Sequence, residues 1–294
     1  MSRIVATLSL GCLAAIGFTA FGMLRGDHTE RIPIPDCRGG SDELDAGNGD
    51  LARELDAARR SCRRENLDAV VARLRRQVEA RSQDRDSWRL LAEGLLDRAL
   101  QRGHLIGMQP GRPVYDRLPD EVAADIDAAA AAVLRAQELG DDSADVFRIS
   151  AEVMGQRITG LGSALQWNGR IEEAIAKAGE RAQDDPRLHL VIGLRKLMAP
   201  ELLGHDPDKA LEHFSYAAET LPNDERPALF AAMASYLKQK RLDAIGWLER
   251  AVARNPSNVF AQVVLHRLRR GEDDPFGRTV TAAEAAADAP RGGK

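Results

Sequence analysis

Aromatic side chains are scarce: seven Phe, three Trp and three Tyr make up 4% of 294 residues. Alternating runs of Val, Ile and Thr are scarce too, beside abundant Ala, Leu, Arg and Glu, which excludes a β-sandwich or barrel and predicts an all-α chain. Cysteine is nearly absent, with three in the whole chain, so no dense disulfide framework staples the core. At this length none is needed. A charge excess of one sign is also missing. The balance of 41 basic and 45 acidic residues leaves −4, without the positive footprint of a nucleic-acid binder. Hydrophobic residues at 44% and charged residues at 29% exclude wholesale disorder, a collagen-like chain and a multi-span membrane protein.

Catalytic signatures are missing as well. The chain has no G-x-S-x-G, G-x-x-x-x-G-K-[ST], G-x-G-x-x-G, H-E-x-x-H or C-x-x-C. Its six histidines, His28, His104, His189, His205, His213 and His266, are scattered, and no two share the i, i+4 spacing that puts imidazoles on one helical face. Asp45 to Asp50 carries acidic groups near Gly but lacks the spacing and terminal Glu of a calcium loop. The expectation is a non-enzyme with no metal and no cofactor. The Arg-rich stretch of Arg59, Arg60, Arg63, Arg64, Arg73, Arg75 and Arg76 is interleaved with Glu54, Asp56, Glu65, Asp68 and Glu79, the pattern of a solvated helix face.

The one long apolar run lies at the start. Ile4 to Leu24 is 21 residues without a charge, about 31 Å of helix and close to a bilayer's hydrocarbon thickness. Residues 1–25 are read as a signal anchor or a cleaved signal peptide. Met23 and Leu24 continue the run past the small residues Ala20 and Gly22, which favours a retained anchor in the lipid bilayer, with the rest of the chain on the periplasmic or extracytoplasmic side. Residues 26–49 hold Pro33, Pro35, Gly39, Gly40, Gly47 and Gly49, the composition of a flexible linker. Cys37 and Cys62 are either a disulfide of an oxidising compartment or two unrelated thiols. Residues 271–294, rich in Gly, Asp, Ala and Pro, read as a disordered tail.

Residues 50–270 are a succession of helical patterns with stops at Asp185-Pro186, Pro222-Asn223 and Asn255-Pro256. Pro222 to Pro256, Ala210 to Ala244, Phe214 to Leu248 and Ala217 to Ala251 are each 34 residues apart. With this period and the A-x3-F-x2-A pattern, the chain resembles the tetratricopeptide repeat (TPR) family, whose unit is a 34-residue helical hairpin. Ala210-x3-Phe214-x2-Ala217-x4-Pro222 carries the second-helix signature, and Ala244-x3-Leu248-x2-Ala251-x4-Pro256 repeats it with Leu for Phe. Upstream, Gly162, Gly169, Ala174 and Pro186 fall at the spacings of the first-helix small residue, the inter-helix Gly, the second-helix Ala and the closing Pro, with Gly193 beginning the next unit's close contacts. Trp88-x2-Leu91-Ala92-x2-Leu95 fits a first helix, and Ala129-x3-Val133-x2-Ala136 a second. Departures include insertions at 102–119 and 198–206, and a helix expected over 144–166 that is too long for a hairpin arm.

The resemblance implies a right-handed α-solenoid of about four irregular hairpins, capped by an extra helical pair over 50–64 and 67–81. It also implies a protein or peptide partner on a concave face lined by first helices: Arg89 and Glu93, then Thr159, Ser163 and Gln166, then Arg187, Leu190 and Leu194, and finally Arg226, Leu229, Met233 and Tyr236. The reading is a membrane-tethered interaction scaffold. Two narrower resemblances stand beside it. Leu74 to Leu96, with Asp86 to Ala92 in it, is similar to the repeat subunits of bacterial cytochrome c maturation, and Leu203 to Ala210 to the periplasmic repeat partners of TRAP-type transporters. A different class, an enzyme or small-molecule binder, would use the 102–119 insertion and bring His104, Tyr115 and acidic groups into a closed pocket.

Overall fold

The computed structural model describes residues 51–61, 63–113 and 115–288. They form twelve α-helices: α1 (Leu51–Ser61), α2 (Arg64–Ala80), α3 (Arg85–Gly103), α4 (Asp120–Glu138), α5 (Ala144–Gln156), α6 (Leu161–Arg181), α7 (Pro186–Met198), α8 (Pro207–Thr220), α9 (Arg226–Leu237), α10 (Arg241–Arg254), α11 (Val259–Arg270) and α12 (Ala282–Asp288). No strand occurs among the described residues. Helices pair in sequence, α3 with α4, α5 with α6, α7 with α8 and α9 with α10. The first helix of each pair also touches the first helix of the next, so α3, α5, α7 and α9 make a continuous inner layer, while α1 and α2 pack at its start. Among the described residues no helix is long and apolar enough to cross a membrane. Ile4 to Leu24, Cys37 and Cys62 lie outside the described residues.

Local chemistry explains where the helices begin. Asp84, Ser143, Asp185, Asp206 and Asn258 each precede a helix and accept a hydrogen bond from a backbone N–H of its first turn, satisfying donors that have no partner inside the helix. Pro186 and Pro207 follow two of these caps at the first helical position, where a missing N–H costs nothing. The repeat signature is packing. Ala210, Phe214, Ala217, Ala244, Leu248 and Ala251 are fully buried, the alanines letting neighbouring helices close in around the two larger side chains. Gly193 on α7 faces the Phe214 ring: a Cβ there would lie 2.5 Å from the ring edge. That contact admits only a residue without a side chain.

The expected helix over 144–166 is two helices. The chain is extended at Gly160, and the Ser163 hydroxyl accepts from the backbone N–H groups of Thr159 (2.9 Å) and Gly160 (3.0 Å), which starts α6 afresh. Gly162 and Gly169 therefore lie inside α6 and have no first-helix or turn role; neither has an atom within 4 Å of where a Cβ would sit. Ala164 before Gly169 and Ile171, Ala174 and Ala178 after it are buried on one side of α6 and hold the helix together across that glycine.

The 104–118 insertion is a strap. It runs from the end of α3 to the far end of the array, where Met108 N donates to Phe276 O (2.8 Å), Val280 N to Leu105 O (2.8 Å) and Gln109 Nε2 to Asp274 Oδ2 (2.6 Å). Gly107 sits at φ +90°, and a Cβ on it would meet the Gly277 carbonyl at 2.5 Å, so the two backbones touch. Residues 272–288 are thus packed where a disordered tail is expected. Phe276 and Val280 are buried, and Arg267 of α11, 1% exposed, gathers the segment by donating to the carbonyls of Pro275, Arg278 and Thr279 and to the Glu284 carboxylate.

Both the close helix contact and the Arg267 cluster have measurable consequences. Gly193→Val should destabilise the fold by about 1–3 kcal/mol in urea denaturation, and Phe214→Leu in the same background should recover part of that loss; additive effects would contradict the contact. The Arg267 hydrogen bonds hold the Glu284 carboxyl at about 2, below its ordinary 4.5. A depressed carboxyl stabilises above its unfolded value and ceases to do so as pH falls through its folded one. Hydrogen-exchange protection of 272–288 should therefore decline between about pH 4.5 and 2, and Glu284→Gln should remove that dependence. Protection that falls identically in the variant would contradict the assignment.

Candidate functional site

The inner layer brings together charges from five helices. Glu93 and Asp97 come from α3, Arg148 and Glu152 from α5, Arg187 from α7, Arg226 from α9, and Asp56 and Arg59 from α1. Glu93 Oε1 receives Arg59 (3.1 Å), Arg187 (3.3 Å) and Arg148 (3.4 Å). Asp97 receives Arg59 (2.5 and 2.9 Å) and Arg226 (3.3 Å), and Arg226 is also clasped by Asp224 (2.6 Å). Arg187 reaches back to Asp56 of α1 at 3.1 Å. Burial alone would raise the Glu93 carboxyl, but Arg148, Arg59, Arg187 and Arg226 outweigh it and hold it at about 2. Asp224 is likewise held at about 2 against its burial, by Arg226 above all. Arg59 is therefore not on a solvated face; Arg60, Arg64, Arg75 and Arg76 are.

Beside this cluster the strap roofs a cavity of about 390 Å³ between α3, α4, α5, α6, α7, the start of α9 and the 199–203 turn. Most of its wall is apolar, with Ile126, Ile158, Ala164, Ile171, Leu190 and Leu194 among the residues, and Arg112, Gln156, Asn168 and Arg195 also line it. Where it meets the ion cluster the lining changes to Glu152, His104 and Arg226. Burial and then the nearby Arg226 push the His104 imidazole down to about 4, so it is neutral at pH 7, and its ring packs on Phe230 and Phe260 at 5.7 and 6.1 Å. Burial raises the Glu152 carboxyl, with Asp97 and Glu93 adding to the rise against Arg226 and Arg148. Its ion-pair partner, Arg148 Nη1, stands 4.0 Å away, and among the described residues no donor lies within hydrogen-bond distance.

The expected groove residues divide into several groups. Glu93, Arg187 and Arg226 meet in the ion cluster, and Leu190, Leu194 and Arg226 line the cavity. Arg89 instead ties α3 to the α4–α5 turn through Asp141 (2.7 Å). Leu229 and Met233 are core, and Tyr236 packs against Phe276 with ring centres 5.7 Å apart. Thr159 and Ser163 build the α5–α6 junction, and Gln166 is exposed on α6, a second helix. Trp88 donates to Ser82 O from the first turn of α3. Of the pair expected in a closed pocket, His104 lines the cavity, but Tyr115 turns away to Asp127 (2.8 Å).

Sequence reasoning missed Asp97, Glu152, Arg148 and the α1 contribution, because nothing local separates them from ordinary amphipathic-face charges. It also missed a histidine pair. His189 of α7 and His213 of α8 approach to 3.1 Å between Nδ1 atoms, with the Tyr216 ring packed at a tilt on His189, its centre 4.2 Å away. Among the described residues no group of three or more His, Cys, Asp or Glu is arranged to hold a metal.

This geometry defines a helical-hairpin solenoid with a charged, self-occupied inner face and a roofed apolar cavity. No family model matches the sequence, and no curated protein is significantly similar to it. Solved structures are similar in fold. TTC0263, a thermophilic TPR protein of Thermus thermophilus, aligns over 75% of this chain and 100% of its own at 14% identity and a TM-score of 0.53. An IFIT1 variant with m7Gppp-AAAA aligns over 78% of this chain and 47% of its own at 13% identity and a TM-score of 0.50. YrrB, described as a TPR protein with an unusual peptide-binding site, aligns over 75% and 92% at 16% identity and a TM-score of 0.37. The fold is TPR-like.

Glu93→Ala should strand three guanidinium groups and destabilise the chain by about 3–5 kcal/mol in urea denaturation at pH 7. Arg187→Ala, at the cluster's more open edge, should cost about 1 kcal/mol or less. Equal small losses would contradict a shared central carboxylate.

Proposed function

We propose that the chain is a non-catalytic protein-interaction scaffold, tethered to a bilayer by Ile4 to Leu24, that anchors apolar side chains of a partner protein in the roofed cavity. One observation carries this reading: the apolar cavity has leucines standing in solvent at its edge. Leu161 lines it and is 53% exposed, Leu165 one turn further along α6 is 52% exposed, and Leu202, beside the lining Leu203, is 74% exposed. Clustered exposed apolar side chains around a concave apolar site fit a protein interface. The inner-face charges support the same choice, since Glu93, Asp97, Arg187 and Arg226 are already engaged with one another and with α1. A peptide lying along the whole concave face would have to displace α1. The net charge of −4 supports a protein partner over a nucleic acid.

A second reading, a small-molecule binder akin to the transporter-associated repeat proteins, draws support from the strap's enclosure of the cavity. Panning a displayed peptide library against the full chain in detergent distinguishes the two. Enriched peptides should carry large apolar residues and should lose about tenfold or more in affinity on Leu161→Glu, while Leu242→Glu, on an 82% exposed side chain of α10, leaves binding unchanged. Absence of an apolar motif, or binding indifferent to Leu161→Glu, would contradict the scaffold reading. A small molecule retained by the purified chain in native mass spectrometry would favour the second.

A further inference from the structure

The cavity is not uniformly apolar: Arg112, Gln156, Asn168 and Arg195 also line it, Arg195 being held by Glu172 (3.1 Å) and the Leu203 carbonyl (2.9 Å), and Glu152 is the one carboxylate in its lining. The ion cluster and its edge hold the buried carboxylates Glu93, Asp97, Glu152 and Glu225, the half-buried Asp224, and the guanidinium groups Arg59, Arg148, Arg187 and Arg226; of these Arg226, Arg148, Asp97 and Glu93 act on Glu152. Arg59, Arg148, Arg187 and Arg226 each make shorter contacts elsewhere: Arg59 with Asp97 and Glu93, Arg148 with Asp145 at 2.8 Å, Arg187 with Asp56 and Glu93, Arg226 with Asp224 and Asp97. Glu225 receives Asn258 at 3.0 Å. Glu152 alone of these carboxylates has no hydrogen-bond donor among the described residues, although its side chain is more than nine-tenths buried and it lines the cavity. Its oxygens open onto the cavity, and a carboxylate in so apolar a setting gains more from a charged donor arriving along the walls than it would in open water.

Resting on the reading of the cavity as a partner-binding site, we propose that its occupant is a lysine side chain of the partner, with the methylene stem against the apolar walls and the ammonium on Glu152 beside the His104 ring. A lysine suits the site's shape. Its head is a compact group of three donors on an apolar stem, so one head can serve Glu152 and the neutral His104 ring together, whereas a guanidinium would spend its planar donor pair on the two Glu152 oxygens. His104 adds an uncharged ring with no hydrogen bond to a described residue, so it can accept from the same head group. Arg226, which also lines this end, does not repel an incoming cation strongly, because Asp224 and Asp97 already compensate its charge.

The test uses the full chain with probes of one length and three head groups: heptylamine, heptanol and heptanoate, read by calorimetry and by thermal shift. Heptylamine should bind about tenfold or more tightly than heptanol, and heptanoate should bind weakest. Glu152→Gln should erase the preference for the amine while leaving heptanol binding in place. In the peptide arm, acetyl-Leu-Lys-Leu-amide should bind about tenfold better than the same peptide with norleucine for lysine. Equal binding of amine and alcohol, or of lysine and norleucine peptides, would overturn the proposal while leaving an apolar cavity intact. Heptylamine binding without lysine-peptide binding would overturn the lysine assignment in favour of a free amine. Failure of every probe would overturn both the proposal and the cavity reading beneath it.

Discussion

Three arginines from three different helices converge on one carboxylate oxygen of Glu93, and the arrangement of the inner layer depends on that convergence. A charge taken out of water is expensive unless its partners follow it, so burying Glu93 obliges α1, α5 and α7 to deliver Arg59, Arg148 and Arg187 to one place. Asp97, one turn on along α3, extends the obligation to Arg226 of α9. In a stack of hairpins each unit touches mainly its neighbours. Here the ion cluster adds ties across the array, from sequence position 56 to position 187 and from 97 to 226.

The strap applies the same logic with backbone groups. Leu105, Ile106, Met108 and Gln109 bond to residues 274–280, so the insertion after α3 and the chain after α11 stabilise each other. Arg267 secures the outer side of that junction and the Gly107–Gly277 approach its centre. The consequence for function is geometric. A face that would otherwise be open to an extended peptide is divided into a region filled by the protein's own charges and a region roofed but not filled. The unfilled part is apolar, edged by exposed leucines, and ends at a carboxylate lacking a donor.

The fold was readable where burial repeats locally. Ala210, Phe214 and Ala217 and their counterparts 34 residues on announce themselves because the same contact recurs in each unit, and the Asp-Pro pairs at 185–186 and 206–207 mark helix starts by the chemistry of an unpaired N–H. Gly169 is misleading because a glycine inside a helix and one in a turn look alike in sequence; the stripe that continues from Ala164 through Ile171, Ala174 and Ala178 decides between them. The long-range features were not legible. His104 meets Phe230 and Phe260, and His189 meets His213, through tertiary proximity with no fixed spacing. Arg59 resembles its solvated neighbours until α1 is placed on the inner layer. The tail reading failed for a related reason: residues 272–288 are polar and Gly-containing, and they are ordered by partners more than 160 positions away.

The central claim is that Glu93 is ionised, buried and shared among guanidinium groups, and that the inner face is closed around it. Carbon-13 NMR titration of the Glu93 side-chain carboxyl tests this most directly. A midpoint near 2, from burial overcome by Arg148, Arg59 and Arg187, is the result this account predicts. A midpoint at the ordinary 4.5 would mean an open, solvated carboxylate and an unoccupied face, and would contradict it.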